Sequence, residues 1–105
     1  MPVDLRALQE AFARKAFLLT EHASIQAARR TIDSQEMAEA VAGGEVIEDY
    51  PDDKYGPSCL ILGRTTVGRI LHLQVSYPPD VKVITVYEPS PERWSSDFKA
   101  RRADE

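Results

Sequence analysis

Leu5, Leu8 and Phe12 recur at i, i+3 and i+7. That spacing gathers three apolar side chains on one helix face, so an amphipathic helix is expected from about Asp4 to Lys15. Phe17, Leu18 and Leu19 make a short apolar run ahead of Thr20, a residue suited to an N-cap. A second helix is expected from Glu21 to Arg29 or Arg30. Asp33 and Glu36 have capping-box spacing, with Asp in place of Ser or Thr, and open a third, shorter helix. Met37 and Val41, at i and i+4, face its core side, and Gly43-Gly44 closes it.

Beyond Gly44 the period shortens to that of strands. Glu45 to Tyr50 reads as a first strand and Cys59 to Leu62, continuously apolar, as a central one. Arg69 to Tyr77 and Val81 to Tyr87 follow. The connections are the turn-rich PDDKYGPS, Thr65 to Gly68, and Pro78-Pro79-Asp80. In the strand Arg69–Tyr77, Leu71, Leu73, Val75 and Tyr77 share the core face. Ile70, His72, Gln74 and Ser76 share the other, expected to be partly open. After Pro89 a short helical turn carries Trp94, and residues 95–105 are polar and expected to fray. Helices followed by a meander predict one α+β domain over residues 1–105, with N-terminal helices packed on one face of a four-stranded antiparallel sheet. No repeat, low-complexity segment or linker interrupts it.

Composition narrows the function classes. At 105 residues and 29% charged, the chain suits a single globular core that buries roughly two-thirds of its unfolded surface without staples. Seventeen acids against thirteen bases give a net charge of −4, which weighs against a nucleic-acid partner unless basic side chains cluster locally. Cys59 is the only cysteine, so no internal disulfide forms and no thiolate cluster can hold a metal. Charges break every apolar stretch of the N-terminus, which reads as neither signal peptide nor membrane span. A cytoplasmic protein without a membrane partner is expected.

Two sets of residues carry candidate chemistry. His22, Gln26 and Arg30 stand at i, i+4 and i+8, with Arg29 at nearly the same angle. On a continuous helix they form one polar stripe able to exchange protons and hold a phosphate, or simply a solvated face. His72, with Gln74 beside it, is either a general acid or base on the open sheet face or a cross-strand partner of Thr or Tyr. No His-x-His or HExxH spacing supports a metal site, and the acidic run Glu45, Glu48, Asp49, Asp52, Asp53 lacks the pattern of a calcium loop. That run is better suited to an edge that resists aggregation or attracts a basic partner. Cys59 sits in an apolar run as an inert thiol. With no glycine-rich phosphate loop and no GxSxG elbow, no cofactor is expected.

The segments Thr20-x-His22-Ala23 to Arg30-x-Ile32, Gly44-Glu45-Val46-Ile47-Glu48-Asp49-Tyr50-Pro51, Tyr55-Gly56-Pro57-Ser58-Cys59-Leu60, Gly68-Arg69-x-Leu71-His72-Leu73 and Ile84-Thr85-Val86-Tyr87-Glu88-Pro89 resemble the small bacterial family catalogued as domain of unknown function 4258. The resemblance covers about residues 18–94. It implies similarity to the RelE and BrnT toxins, metal-independent ribonucleases of toxin–antitoxin pairs whose sheet face meets RNA. On that reading the fold is RelE-like, and RNA and an antitoxin protein are the partners. His22, Arg30, His72 and Tyr87 are the catalytic positions, and Gln26, Arg29 and Gln74 are substrate contacts. Two positions depart from the family pattern. Gln26 replaces a common arginine, which removes a phosphate contact, and Thr31 replaces a usual glycine. A catalytically silent interaction module of the same fold, self-associating or bound to a protein, is the alternative.

Overall fold

A computed structural model of the chain describes residues 3–103. The elements run α1 (Leu5–Ala13), β1 (Leu18–Leu19), α2 (Glu21–Arg30), α3 (Ser34–Ala42), β2 (Glu45–Tyr50), β3 (Ser58–Arg64), β4 (Ile70–Ser76) and β5 (Lys82–Tyr87). The caps are those the sequence indicates. Asp4, Thr20 and Asp33 accept the backbone N–H of Ala7, Ala23 and Glu36, and Asp33 with Glu36 closes a full capping box.

The sheet has five strands in the order β1-β5-β4-β3-β2 and is mixed, which corrects the expected four antiparallel strands. The added strand is the run Phe17–Leu19. Its residues Leu18 and Leu19 pair in parallel with Lys82 and Val83. Two residues are too few to show a period of two, so only the tertiary partner reveals them as a strand. The outer edge of β5 offers the Val81 and Val83 carbonyls, which accept from Leu18 N and Thr20 N at 3.1 and 3.0 Å. Among the described residues, no helix is long and apolar enough to cross a membrane.

One sheet face, with Cys59, Ile61, Leu71, Leu73, Val75, Val83 and Val86, packs on Leu8, Phe12, Ala23, Ala27, Met37 and Val41 of the helices. α3 lies so close to β3 that a Cβ at Gly63 would stand 1.9 Å from the Ala40 carbonyl oxygen. Glycine is therefore a packing requirement there, since any side chain would enter the helix backbone.

Two bulges decide what occupies the opposite face. Register shifts between Val46 and Glu48 in β2, and opposite Gln74 and Val75 in β5. Each inserts one residue, Ile47 or Ile84, and so reverses the in–out alternation beyond it. Glu48, Tyr50, Thr85 and Tyr87 thereby join His72 and Gln74 on one face, in the rows Glu48–Leu60–Gln74–Thr85 and Leu62–His72–Tyr87. The open edge at the second bulge is satisfied from outside: Thr20 Oγ1 donates to Ile84 O at 3.2 Å, and Val86 N donates to Gln26 Oε1 at 3.0 Å.

This face is not open around His72, as alternation alone suggested. A turn at Ser90, which accepts from Arg93 N and Trp94 N at 3.1 Å, leads Trp94 across it. Trp94 is 4% exposed and His72 is 0% exposed. Where the tail was expected to fray, Trp94 and Arg101 bridge across a short loop, and Ser95 N donates to Ala100 O at 2.8 Å. Arg101 forks onto Glu48 at 3.0 and 3.1 Å, and Lys99 pairs with Glu45 at 3.3 Å. A buried indole supplies the apolar contact that a polar composition conceals. Residues 104 and 105 lie outside the described residues.

Candidate functional site

His72, on β4, faces Tyr87 across the strand pair. Its Nε2 lies 2.9 Å from the Phe98 carbonyl oxygen and its Nδ1 lies 3.2 Å from Tyr87 Oη. A carbonyl oxygen can only accept, so Nε2 carries the hydrogen and Nδ1 accepts from the Tyr87 hydroxyl. The Trp94 ring stands edge-on to the imidazole with centroids 4.3 Å apart. Burial pushes the His72 pKa below its ordinary value, against the smaller opposite effects of Phe98 O and Glu48. The imidazole is therefore a neutral acceptor with a fixed tautomer. Burial likewise pushes the Tyr87 phenol up. Both shifts keep the proton on Tyr87 at rest, so it passes to His72 only as the phenol oxygen takes up another.

Tyr87 also lines a cleft of about 580 Å³ between the end of α2 and the segment after β5, with Gln26, Arg30, Glu88, Arg93 and Arg101. Arg69 builds the rim. Its guanidinium donates to the Arg30 and Thr31 carbonyls and pairs with Glu36 at 3.1 Å and Glu88 at 2.9 Å. One side chain thus ties the end of α2, the start of α3 and the end of β5 together. Its bonds to Glu88 hold that carboxyl below the usual carboxylate range. Arg30 and Arg93 have no side-chain hydrogen bond or salt bridge among the described residues. They are the cleft's available cations.

Arg101 is committed elsewhere. It lies 4.8 Å over the Trp94 ring and is forked onto Glu48, to which Tyr50 also donates. Burial alone would raise the Glu48 pKa, yet Arg101 and Tyr50 hold it below the carboxylate norm.

The other expected positions fall apart. His22, in the first turn of α2, is exposed and is not part of the cleft wall. Arg29 is exposed and is likewise not part of that wall. Gln26 reaches the cleft, but its amide oxygen is engaged by Val86 N. Gln74 lies on the far side of Arg101. Cys59 is buried, its thiol pushed up to about 12 by desolvation. No group of three or more His, Cys, Asp or Glu side chains among the described residues is arranged to hold a metal.

Arg93, Trp94 and Arg101 were absent from the sequence-derived set. Their only signal is a proline-bounded turn, Pro89-Ser90-Pro91, running into Arg93 and the single tryptophan. No curated protein and no solved structure matches the chain. A family model described as Domain of unknown function (DUF4258) matches residues 19–88, well over half of the chain, and the chain belongs to that family.

Proposed function

We propose that the chain is a toxin-like, metal-independent endoribonuclease with a RelE-like site, kept silent by a cognate antitoxin protein. What supports the reading is the meeting, in one cleft, of two guanidinia unpaired among the described residues with a tyrosine hydroxyl hydrogen-bonded to a neutral histidine. Arg30 and Arg93 hold a phosphodiester and stabilise charge that builds on its non-bridging oxygens. Tyr87 takes the proton of the 2′-hydroxyl as its own proton passes to His72 Nδ1. The 2′-oxygen attacks the adjacent phosphorus and the bond to the 5′-oxygen breaks. The leaving oxygen takes a proton from solvent, and His72 returns its extra proton to solvent through Tyr87. The products are a 2′,3′-cyclic phosphate and a 5′-hydroxyl. His72 acts through Tyr87 and is a positioning and proton-accepting residue, while His22 takes no part.

The test is induced expression in a bacterial host of the wild type, Tyr87→Phe and His22→Ala, following growth and total RNA. Arrest with RNA loss in the wild type and His22→Ala, but not in Tyr87→Phe, is the expected result. Normal growth and intact RNA with soluble, folded wild type would overturn the reading. The interaction module would then stand, favoured by the acidic outer strand β2 and by the engagement of Gln26 in the fold.

A further inference from the structure

Arg101 is a wall shared by two clefts on the same side of the molecule. On one side lies the cleft of Arg30, Arg93 and Tyr87. On the other lies a cleft of about 590 Å³ lined by Tyr50, Pro51, Asp52, Asp53, Gln74 and Arg101. The cleavage chemistry above makes no use of the second.

The two differ in charge. Arg30 and Arg93 give the first cleft two cations without a salt bridge among the described residues, against one carboxylate, Glu88, that is held by Arg69. In the second, Arg101 is neutralised by Glu48, while Asp52 and Asp53 have no hydrogen-bonded or ion-paired side chain among the described residues. The second cleft therefore repels phosphate and favours groups that donate N–H bonds.

Its polar floor has a fixed orientation. Gln74 Nε2 donates to the Ser58 hydroxyl at 3.1 Å, and Gln74 Oε1 accepts from Thr85 Oγ1 at 3.4 Å. Ser58 is fully buried, so the amide is held from beneath. With one hydrogen and one lone pair used, Gln74 keeps one donor and one acceptor side by side for a ligand. Tyr50, its hydroxyl tied to Glu48, supplies an aromatic wall. A planar ring with an adjacent donor and acceptor suits this combination, and a neighbouring phosphate suits the first cleft.

We infer that the second cleft is a nucleobase subsite that takes an amino-bearing base, in preference to uracil, from a strand whose phosphate lies against Arg30 and Arg93. The inference rests on the RNA reading above and adds its substrate selectivity. Adenine, cytosine and guanine each carry an exocyclic amino group that can donate to Asp52, Asp53 or Gln74 Oε1. Uracil has a single N–H, at N3, flanked by two carbonyl oxygens, and so turns an acceptor toward the carboxylates where the other bases turn an amino group.

The test uses short labelled 2′-O-methyl homo-oligonucleotides of the four bases, which cannot be cleaved through a 2′-hydroxyl. Affinities are measured for the wild type, for Gln74→Ala and for the double variant Asp52→Asn/Asp53→Asn. The double variant leaves the buried Ser58 contact intact. The three amino-bearing oligomers should bind the wild type about tenfold more tightly than the uridine oligomer. Both variants should bring the ratio to within about twofold. Equal, salt-sensitive affinity for all four oligomers would overturn the base subsite and leave the phosphate cleft standing. A preference that survives in both variants would overturn it by placing the base elsewhere. Absence of binding to any oligomer would overturn the RNA reading and the subsite with it.

Discussion

Thr31 closes α2 with φ 55° and ψ 51°, a left-handed conformation that a β-branched side chain resists. Glycine adopts it freely, which explains why a glycine suits this position and what its absence costs here. Thr31→Gly should stabilise the fold by about 1 kcal/mol, read as a higher denaturation midpoint at unchanged slope. A lower midpoint would contradict this. Gln26 teaches a related lesson about legibility. Spacing placed it correctly on the stripe with Arg30, but an amide that completes a sheet edge and one that awaits a substrate look alike in sequence.

His72 gives the residue scale its pH dependence. Its folded-state pKa lies below the ordinary 6.5, so the unfolded chain takes up the proton first as the pH falls. The stability contributed by the neutral imidazole is complete above pH 6.5 and is lost as the pH falls from there through the folded-state value. Glu48 and Glu88, held below 4.5, act only at lower pH. Chemical denaturation at about pH 7.5 and about pH 5.5 should show the wild type losing stability, and His72→Gln should lose much less over the same interval. Equal losses in both proteins would mean that the burial of His72 carries no such linkage.

At the scale of elements, the helices and the three long antiparallel pairings were readable because caps and periodicity agree with packing. Asp33 with Glu36 and the run Leu71, Leu73, Val75 are examples. The bulges at Ile47 and Ile84 were not readable, since each leaves a sequence of ordinary strand composition. They matter most to the site: without the second, Tyr87 would turn to the helix-covered face, away from His72. The contact of α3 with β3 is equally hidden in the sequence, because Gly63 looks like any strand glycine until its neighbour is known. Gly63→Ala should destabilise the fold by about 2 kcal/mol or more, because the Ala40 backbone cannot withdraw as a side chain would. A thermal melt within about 1 °C of the wild type would show that α3 can shift after all.

For the whole molecule, net charge does not describe each part of the surface. The sum of −4 is spread unevenly, with carboxylates along β2 and the turn after it, and guanidinia that are unpaired among the described residues at the end of α2 and after β5. Residues brought together from α2, β4, β5 and the segment at 90–101 make one face of two electrostatic characters. Arg93, Trp94 and Arg101 follow the matched residues 19–88, so part of the candidate site is built by chain outside the region that the family model covers. A phosphate against Arg30 and Arg93, and a proton moving between Tyr87 and His72, together make up the proposed activity.

The most direct measurement is the rate at which purified protein cleaves a defined single-stranded RNA in excess EDTA, with the product ends identified. The wild type should leave 2′,3′-cyclic phosphate and 5′-hydroxyl ends. Tyr87→Phe should cut at least about 100-fold more slowly while retaining RNA affinity, and Arg30→Ala should bind more weakly. Cleavage by Tyr87→Phe at the wild-type rate, or none by folded wild type, would contradict the account.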